Sequence, residues 1–303
     1  MSPEAKCFSA ACRLCPRLCR VERGSGKSGF CRSGTGLEIA SICLHRGEEP
    51  PLGGEKGICN VFFYHCQLQC VYCQNWQISR NDQPVRTIHL EEALQIIAGY
   101  YDRGVRLLGF VSASHMIPAM IEIISALRVT GRRPRVVFNC SGYERPEILA
   151  GLEDWVDVYL PDFKYADTGL GLRLSGVPDY PLVAWRALLE MTRQKGLRLA
   201  LDDQGLARTG VLVRHLVLPG QVENSLAVLR LLAEISPLLS ISLLAQYRPN
   251  GLAPPPLDRC LNQSEYDRVL EEMSTLGFIN GWRQELSSAD LHCPDFDQLS
   301  PFN

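Results

Sequence analysis

The sequence predicts an α/β protein, a partial (β/α)6 barrel of TIM-like type, preceded by an amino-terminal cysteine-rich module. Three observations carry this. Six apolar runs of strand length alternate with six stretches of helical period. Each apolar run ends in small or polar residues. Ten of the thirteen cysteines fall before residue 74.

The elements follow in order. Residues 1–50 are rich in Cys, Gly and Arg and show little periodicity; the connector Glu48-Glu49-Pro50-Pro51-Leu52-Gly53-Gly54 follows. They form the expected metal-binding module, and residues 51–303 the barrel with a carboxyl-terminal extension. Apolar runs at 58–64, 105–111, 135–138, 155–160, 210–218 and 239–245 read as buried parallel strands. Helical stretches lie at 90–102, 118–127, 146–152, 181–192, 222–235 and 264–276, the last closed by Gly277. Six such units with right-handed crossovers suit a partial barrel better than a closed eight-stranded one.

The strand ends read Ser112-Ala113-Ser114, Asn139-Cys140-Ser141-Gly142, Asp162-Phe163-Lys164, Pro219-Gly220 and Gln246-Tyr247. Ligand sites in such folds gather at the carboxyl ends of strands. Ser114 and Gly220 equally suit caps and turns. Asp162 and Lys164 are a different case, because a charged pair directly after a buried strand must be solvated or paired.

Composition limits the function. The formal net charge is −2, with 46% apolar and 21% charged residues and no long run of like charge. That argues against nucleic-acid or membrane-surface binding as the main activity. The start lacks a charged stretch followed by an apolar one, and no segment nears the ~18 apolar residues of a membrane span. The expectation is a cytoplasmic protein, in which clustered cysteines hold metal rather than disulfides.

Cys66, Cys70 and Cys73 are spaced C-x3-C-x2-C, with Tyr72 before the last and no fourth cysteine until Cys140. Three thiolates on a four-iron cluster leave one iron open to a substrate or cofactor, whereas electron carriers usually have four cysteines. A zinc knuckle completed by His65 is the rival reading. Cys12, Cys15, Cys19 and Cys31 form a second set, C-x2-C-x3-C-x11-C, able to close a zinc site or hold an auxiliary iron–sulfur cluster. Cys7 is a substitute ligand for that set. Cys43, Cys59, Cys140, Cys260 and Cys293 read as ordinary buried thiols. Gly24-Ser25-Gly26-Lys27-Ser28 only mimics a phosphate loop, because Val21 stands where glycine is needed and no strand precedes it.

The Cys66 loop resembles that of radical S-adenosylmethionine (SAM) enzymes. With the flanking 61–66 and 73–75 it is similar to the pyruvate formate-lyase activating enzyme group. Gly47-Glu48-Glu49-Pro50-Pro51 and segments 139–144, 157–165 and 214–220 extend the resemblance, most closely to an activating-enzyme-related branch of uncharacterised role.

The resemblance implies a [4Fe-4S] cluster on Cys66, Cys70 and Cys73, and SAM chelated to its open iron. One electron then breaks a carbon–sulfur bond, and a 5′-deoxyadenosyl radical takes hydrogen from a protein, peptide or small molecule. A reductant such as flavodoxin or ferredoxin is implied as partner, and a glycyl-radical enzyme as one protein substrate. Residue by residue, Tyr72 matches the position that meets adenine, and Asn139 and Ser141 match a strand end near ribose and carboxylate. Asp162 and Lys164 match a D-x-K pattern, Lys164 suited to the carboxylate. Arg214 matches a basic residue of the fifth strand, and Tyr247 a histidine facing the nucleoside.

One departure stands out. Activating enzymes carry Gly-Gly-Glu after the second strand to hold the methionine amino group. Here Ser112-Ala113-Ser114-His115 occupies that place, leaving the hydroxyls of Ser112 and Ser114 and backbone carbonyls as acceptors. Gly53-Gly54-Glu55 precedes the first barrel strand and is a decoy. The rival class is a non-catalytic iron–sulfur or zinc protein in assembly or sensing.

Overall fold

The computed structural model describes residues 11–290, 294–298 and 300–302. Cys7 and Cys293 lie outside the described residues.

The six expected strands form one parallel ribbon. They are β2 (Ile58–Phe63), β3 (Leu107–Val111), β4 (Arg135–Cys140), β5 (Val158–Pro161), β7 (Ala207–Leu216) and β8 (Ser240–Leu244), adjacent in that order. Three strands escaped the sequence reading. β1 (Ile39–His45) pairs antiparallel with β2, β6 (Ala200–Leu201) pairs antiparallel with β7, and β9 (Gly281–Arg283) extends the ribbon beyond β8. The sheet is therefore open between β1 and β9, as a partial barrel requires. Because β1 lies before residue 50 and pairs with β2, the sheet crosses the boundary expected between module and barrel.

Period-2 alternation sorts each strand into an outer and a lumen face. Outer residues such as Val61, Phe110, Phe138, Tyr159, Val213 and Leu243 pack in the main core, which also holds helix residues such as Ile123 and Leu188. The lumen floor is a smaller apolar cluster of Leu52, Ile58, Leu107, Val137, Val158, Leu160, Ala207 and Leu212. Leu52 reaches it from the short helix Pro50–Gly53, which plugs the barrel below.

Above that floor the lumen turns polar. Asn60 donates to Glu48 Oε1 at 2.9 Å, and Gly109 on the neighbouring strand makes room, since a Cβ there would strike the Asn60 amide. Arg214 pairs with both Glu48 and Glu49. Burial raises the Glu48 carboxyl, but Arg214 outweighs it and holds the pKa below the ordinary value. Helix ends are capped by the side chains the sequence supplies: Asp167 accepts from Leu170 N, and Asn262 with Glu265 forms a capping box.

Candidate active site

The Cys66 loop leaves the carboxyl end of β2 and runs into the short helix Trp76–Ser79. Two of its residues, His65 and Gln69, take left-handed backbone (φ 69° and 59°) without being glycine. Such conformations persist only where the surroundings over-determine them. The Gln69 amide does this: Nε2 donates to Asn81 Oδ1 at 3.0 Å, and Oε1 accepts from Asn81 N at 3.1 Å. Asn81 Oδ1 also receives Cys66 N at 3.2 Å.

Each sulfur of the loop receives a donor. Leu68 N points at Cys66 Sγ (3.4 Å), Ser175 Oγ at Cys70 Sγ (3.0 Å) and Ser79 Oγ at Cys73 Sγ (3.2 Å). Burial, then the neighbouring Cys70, push the Cys66 thiol up to about 12, and the same two causes raise Cys73. Three crowded, half-buried sulfurs with donors aimed at them suit the thiolate form beside a cationic centre. Among the described residues no three His, Cys, Asp or Glu side chains close on a single-ion point. The donor set itself, three thiols on one loop, is of the kind that holds an iron–sulfur cluster. His65 Nε2 lies 3.4 Å from Gln83 O.

The strand ends gather round this loop unequally. Tyr72 is buried; its hydroxyl accepts from Tyr165 at 2.8 Å, and the Tyr165 hydroxyl meets Ser175 Oγ at 2.6 Å, the same hydroxyl that serves Cys70. Asp162 and Lys164 pair at 2.5 Å. Burial opposes the Lys164 charge, but Asp162 and then Cys70 overcome it and hold its pKa well above the ordinary value. Ser141 Oγ accepts from Gln67 Nε2 at 3.1 Å, linking the β4 end to the residue after Cys66. Ser114 and Ser141 both donate to Glu144 Oε1, at 2.6 and 3.2 Å. Ser112 is left-handed (φ 53°), its N–H bonded to Asn139 O at 2.8 Å.

Other expected residues lie farther off. Asn139 and Arg214 face a lumen cavity of about 390 Å³ that reaches from Glu48 and Glu49 up to Gln74 and Asn75 beside Cys73. There Arg214 is engaged by two carboxylates. The Tyr247 hydroxyl donates to Leu257 O at 2.5 Å, so only its ring approaches Tyr72, edge-on at 6.4 Å. Glu144, Gln67, Ser175 and Tyr165 were not singled out from sequence. Glu144 follows a strand end, Gln67 sits inside the cysteine loop and Tyr165 adjoins Lys164, which were the available signals; Ser175 is joined to the site only by the fold.

The amino-terminal cysteines stand against the same loop. Cys12, Cys15 and Cys31 are buried and Cys19 half-buried, all as free thiols. Burial raises Cys15 to about 12, and Cys31, Cys12 and Cys19 act on it in the same direction, so the four are electrostatic neighbours. Arg17, between Cys15 and Cys19, donates to Gln67 O (3.0 Å) and Ser175 O (3.1 Å). Arg23 donates to His115 O at 2.6 Å and to Cys31 Sγ at 3.4 Å. Of the cysteines expected to be ordinary buried thiols, Cys43, Cys59 and Cys140 are buried, but Cys260 is exposed, lying in the loop before the helix Gln263–Thr275.

A parallel partial barrel with three cysteines after its first parallel strand and polar groups at the following strand ends defines an α/β barrel class with its site at the carboxyl ends of the strands. The Radical SAM superfamily model matches residues 60–232, more than half the chain, and the chain belongs to that superfamily. It is 29% identical over 280 residues to an uncharacterised protein of Methanocaldococcus jannaschii, covering 88% of this chain and 75% of that one. Among solved structures it is similar in fold to HydG, a maturase of the [FeFe]-hydrogenase (TM-score 0.51, 15% identity, 77% of this chain). Methylornithine synthase matches at TM-score 0.48 and 14% identity, over 84% of this chain and 74% of its own. HydG of Carboxydothermus hydrogenoformans matches at 0.49 and 15%, over 81% of this chain. The chain spans little more than half the length of the HydG chains, 53% and 57%.

Proposed function

We propose that this chain uses a [4Fe-4S] cluster on Cys66, Cys70 and Cys73 to cleave SAM reductively and abstract hydrogen from a substrate. The observation that carries the reading is the Cys66 loop: three half-buried sulfurs, each with its own donor, on a loop held by Gln69 and Asn81. When bound, cluster and cofactor supply one-electron cleavage of the sulfonium, yielding methionine and a 5′-deoxyadenosyl radical that takes the substrate hydrogen. The chain's own residues bind and orient. Lys164, held charged by Asp162, is the cation suited to a carboxylate. Tyr72 closes the adenine side, and Ser112, Ser114, Asn139 and Ser141 offer polar groups at successive strand ends. Arg214 and Tyr247 are placed more remotely, Arg214 shaping the lumen through Glu48 and Glu49.

The finer reading is an activating-enzyme-like oxidoreductase acting on a protein, peptide or small molecule, with a glycyl-radical enzyme as the protein case. A flavodoxin- or ferredoxin-like reductant has access to the loop from an opening of about 500 Å³ bordered by Cys70, Cys73, Arg32 and Arg80. Cys12, Cys15, Cys19 and Cys31 are assigned a second iron–sulfur cluster, with zinc the alternative. The module that holds it lies within residues 1–50, and the catalytic barrel takes 51–303 together with β1. A cytoplasmic location is part of the proposal; no helix among the described residues is long and apolar enough to cross a membrane.

The test is anaerobic reconstitution with iron and sulfide, followed by dithionite and SAM. Formation of 5′-deoxyadenosine is expected, and its loss in the Cys66→Ala/Cys70→Ala/Cys73→Ala variant. A fully loaded wild type that yields none, indistinguishable from the variant, overturns the reading in favour of a non-catalytic metal protein.

A further inference from the structure

Well below the cysteine loop the lumen keeps a layer of polar side chains whose members are set by register. Arg214 on β7, Ser242 on β8 and Trp282 on β9 are direct neighbours across the ribbon, and all three border the cavity of about 390 Å³. Glu48 and Glu49 enter this layer from beside the plug and border the same cavity. Both engage Arg214, Glu49 Oε1 accepting from its Nε at 2.8 Å.

Two features of the layer point to a ligand. The first is charge. Two carboxylates face one guanidinium, and the side chains of Glu48 and Glu49 are only 9% and 6% exposed, so bulk water screens them little. Asn60 adds a neutral donor to Glu48, and His45 stands nearby with its ring 4.0 Å from that of Phe302. With His45 neutral the layer holds one negative charge in excess, and a buried charge is costly until it is paired. The second feature is Ser242. It is 1% exposed, yet its hydroxyl has no hydrogen-bond partner among the described residues. Buried hydroxyls are seldom left so. Trp282 beside it adds an indole, whose π-face favours a cation.

Above this layer the same strand faces turn apolar. Two residues farther along come Phe62 after Asn60, Val111 after Gly109 and Leu244 after Ser242, and all three border the cavity. A ligand that fits is therefore charged at its inner end and apolar along its stem. Carboxylates, a hydroxyl acceptor and an indole suit an ammonium. A carboxylate or phosphate in that place would meet Glu48 and Glu49 as like charges.

We infer that this layer receives the substrate by a primary ammonium on a short apolar stem, whether a free alkylamine or a side chain of a peptide. Glu48 and Glu49 are its counter-charges, Ser242 its acceptor, and Phe62, Val111 and Leu244 the collar around the stem. The inference rests on the proposed radical function and names the chemical class of its substrate.

The experiment is calorimetric titration of the cluster-loaded protein with SAM present. It is run at pH 8, where alkylamines are charged and ordinary histidines neutral. The probes are pentylamine, pentan-1-ol and pentanoate, which differ in the head group. Pentylamine is expected to bind at least tenfold more tightly than pentan-1-ol, and pentanoate more weakly than either. Glu49→Gln keeps the shape and balances the layer. It is expected to weaken pentylamine about 10- to 100-fold, the worth of a charge-assisted hydrogen bond, and to leave pentan-1-ol within twofold. Ser242→Ala, the second variant, is expected to weaken pentylamine about three- to tenfold. A blocked peptide, acetyl-Gly-Lys-Gly-amide, tells the two sources apart: tighter binding than pentylamine assigns the ammonium to a peptide, weaker binding to a free amine. No binding of pentylamine, equal binding of amine and alcohol, or equal weakening of both by Glu49→Gln overturns the inference. If Glu49→Gln does not fold, the order of the probes on wild type and the effect of Ser242→Ala decide. Portions of the same preparation are assayed for 5′-deoxyadenosine. Its formation without amine binding sinks this inference alone, and amine binding without its formation sinks the functional proposal.

Discussion

The two cysteine loops are built from the same materials and held by different means. Both carry left-handed non-glycine residues: Leu18, Arg20 and Arg32 in the amino-terminal set, His65 and Gln69 in the other. Both have N–H groups aimed at sulfur, Phe30 N at Cys19 Sγ (3.3 Å) matching Leu68 N at Cys66 Sγ. The Cys66 loop, however, is rooted in β2, a strand paired on both edges, and its donors come from the loop itself, from the helix that follows it and from Ser175. The amino-terminal loop has no strand beneath its four cysteines. It closes on itself through Cys12 N to Val21 O (2.8 Å) and Arg20 N to Cys12 O (2.9 Å), and leans on the barrel through arginines. One loop has its geometry from the fold, and the other from its own turns and its docking bonds.

The sharpest way to break this contrast is to empty each set in turn. Cys66→Ala/Cys70→Ala/Cys73→Ala is expected to reduce 5′-deoxyadenosine to background while limited proteolysis still shows an intact barrel. Replacing Cys12, Cys15, Cys19 and Cys31 together by alanine is expected to remove the second metal. It should also open residues 11–36 to protease, because metal-binding energy in such small modules is largely folding energy. Elemental analysis of the two variants separates the sites: iron with sulfide remaining in the first means a second cluster, zinc alone a structural ion. Equal protease resistance in both would end the comparison.

What the sequence disclosed follows the same division. The ribbon was legible because its strands are buried on both faces and read as mostly apolar runs, as in Leu107–Val111. β1 was not, since Ile39–His45 is an edge strand of mixed burial inside a block dominated by Cys and Gly. β6 and β9 are two and three residues long, too short to show a period. Cys66, Cys70 and Cys73 announced themselves by spacing within one loop. Ser175 could not, because its contact to Cys70 spans 105 residues, and the tie from Gln67 to Ser141 spans 74. Arg214 was placed by its strand, but the two glutamates that engage it arrive from the plug below the barrel.

Lowering the pH sharpens the comparison next. His115 and His215 are both buried, and burial lowers each from 6.5 to about 4. In the unfolded chain each takes up a proton near 6.5, and in the folded chain only near 4. Stability is therefore full above about 6.5 and is lost as pH falls toward 4, by up to about 3 kcal/mol for each histidine. The two differ in place. His215 is bonded to Phe163 O and Ser225 Oγ in the barrel core, whereas the backbone of His115 receives Arg23 from the amino-terminal module. Hydrogen exchange between pH 6.5 and 4 should show residues 11–36 losing protection before β7. Simultaneous loss would mean that the module is no more loosely held than the core.

The smallest effect is the most local. Arg17→Ala removes bonds to Gln67 O, Ser175 O and Gly176 O, together with the stacking of the guanidinium on Phe30 at 3.8 Å. Part of this is exposed, so the expected loss is only about 1–3 kcal/mol, read as a lower midpoint in denaturant. Its distribution matters more than its size. Arg17 is the side chain that reaches from between Cys15 and Cys19 to the backbone beside Cys66 and to Ser175, whose hydroxyl serves Cys70. If the Cys66 loop is fixed by the strand alone, Arg17→Ala should leave the resonance of its reduced cluster unchanged and loosen only the module. If the spectrum shifts while Cys66, Cys70 and Cys73 remain loaded, the two loops are a single mechanical unit. The amino-terminal set would then help hold the sulfurs in place, as well as bind a metal of its own.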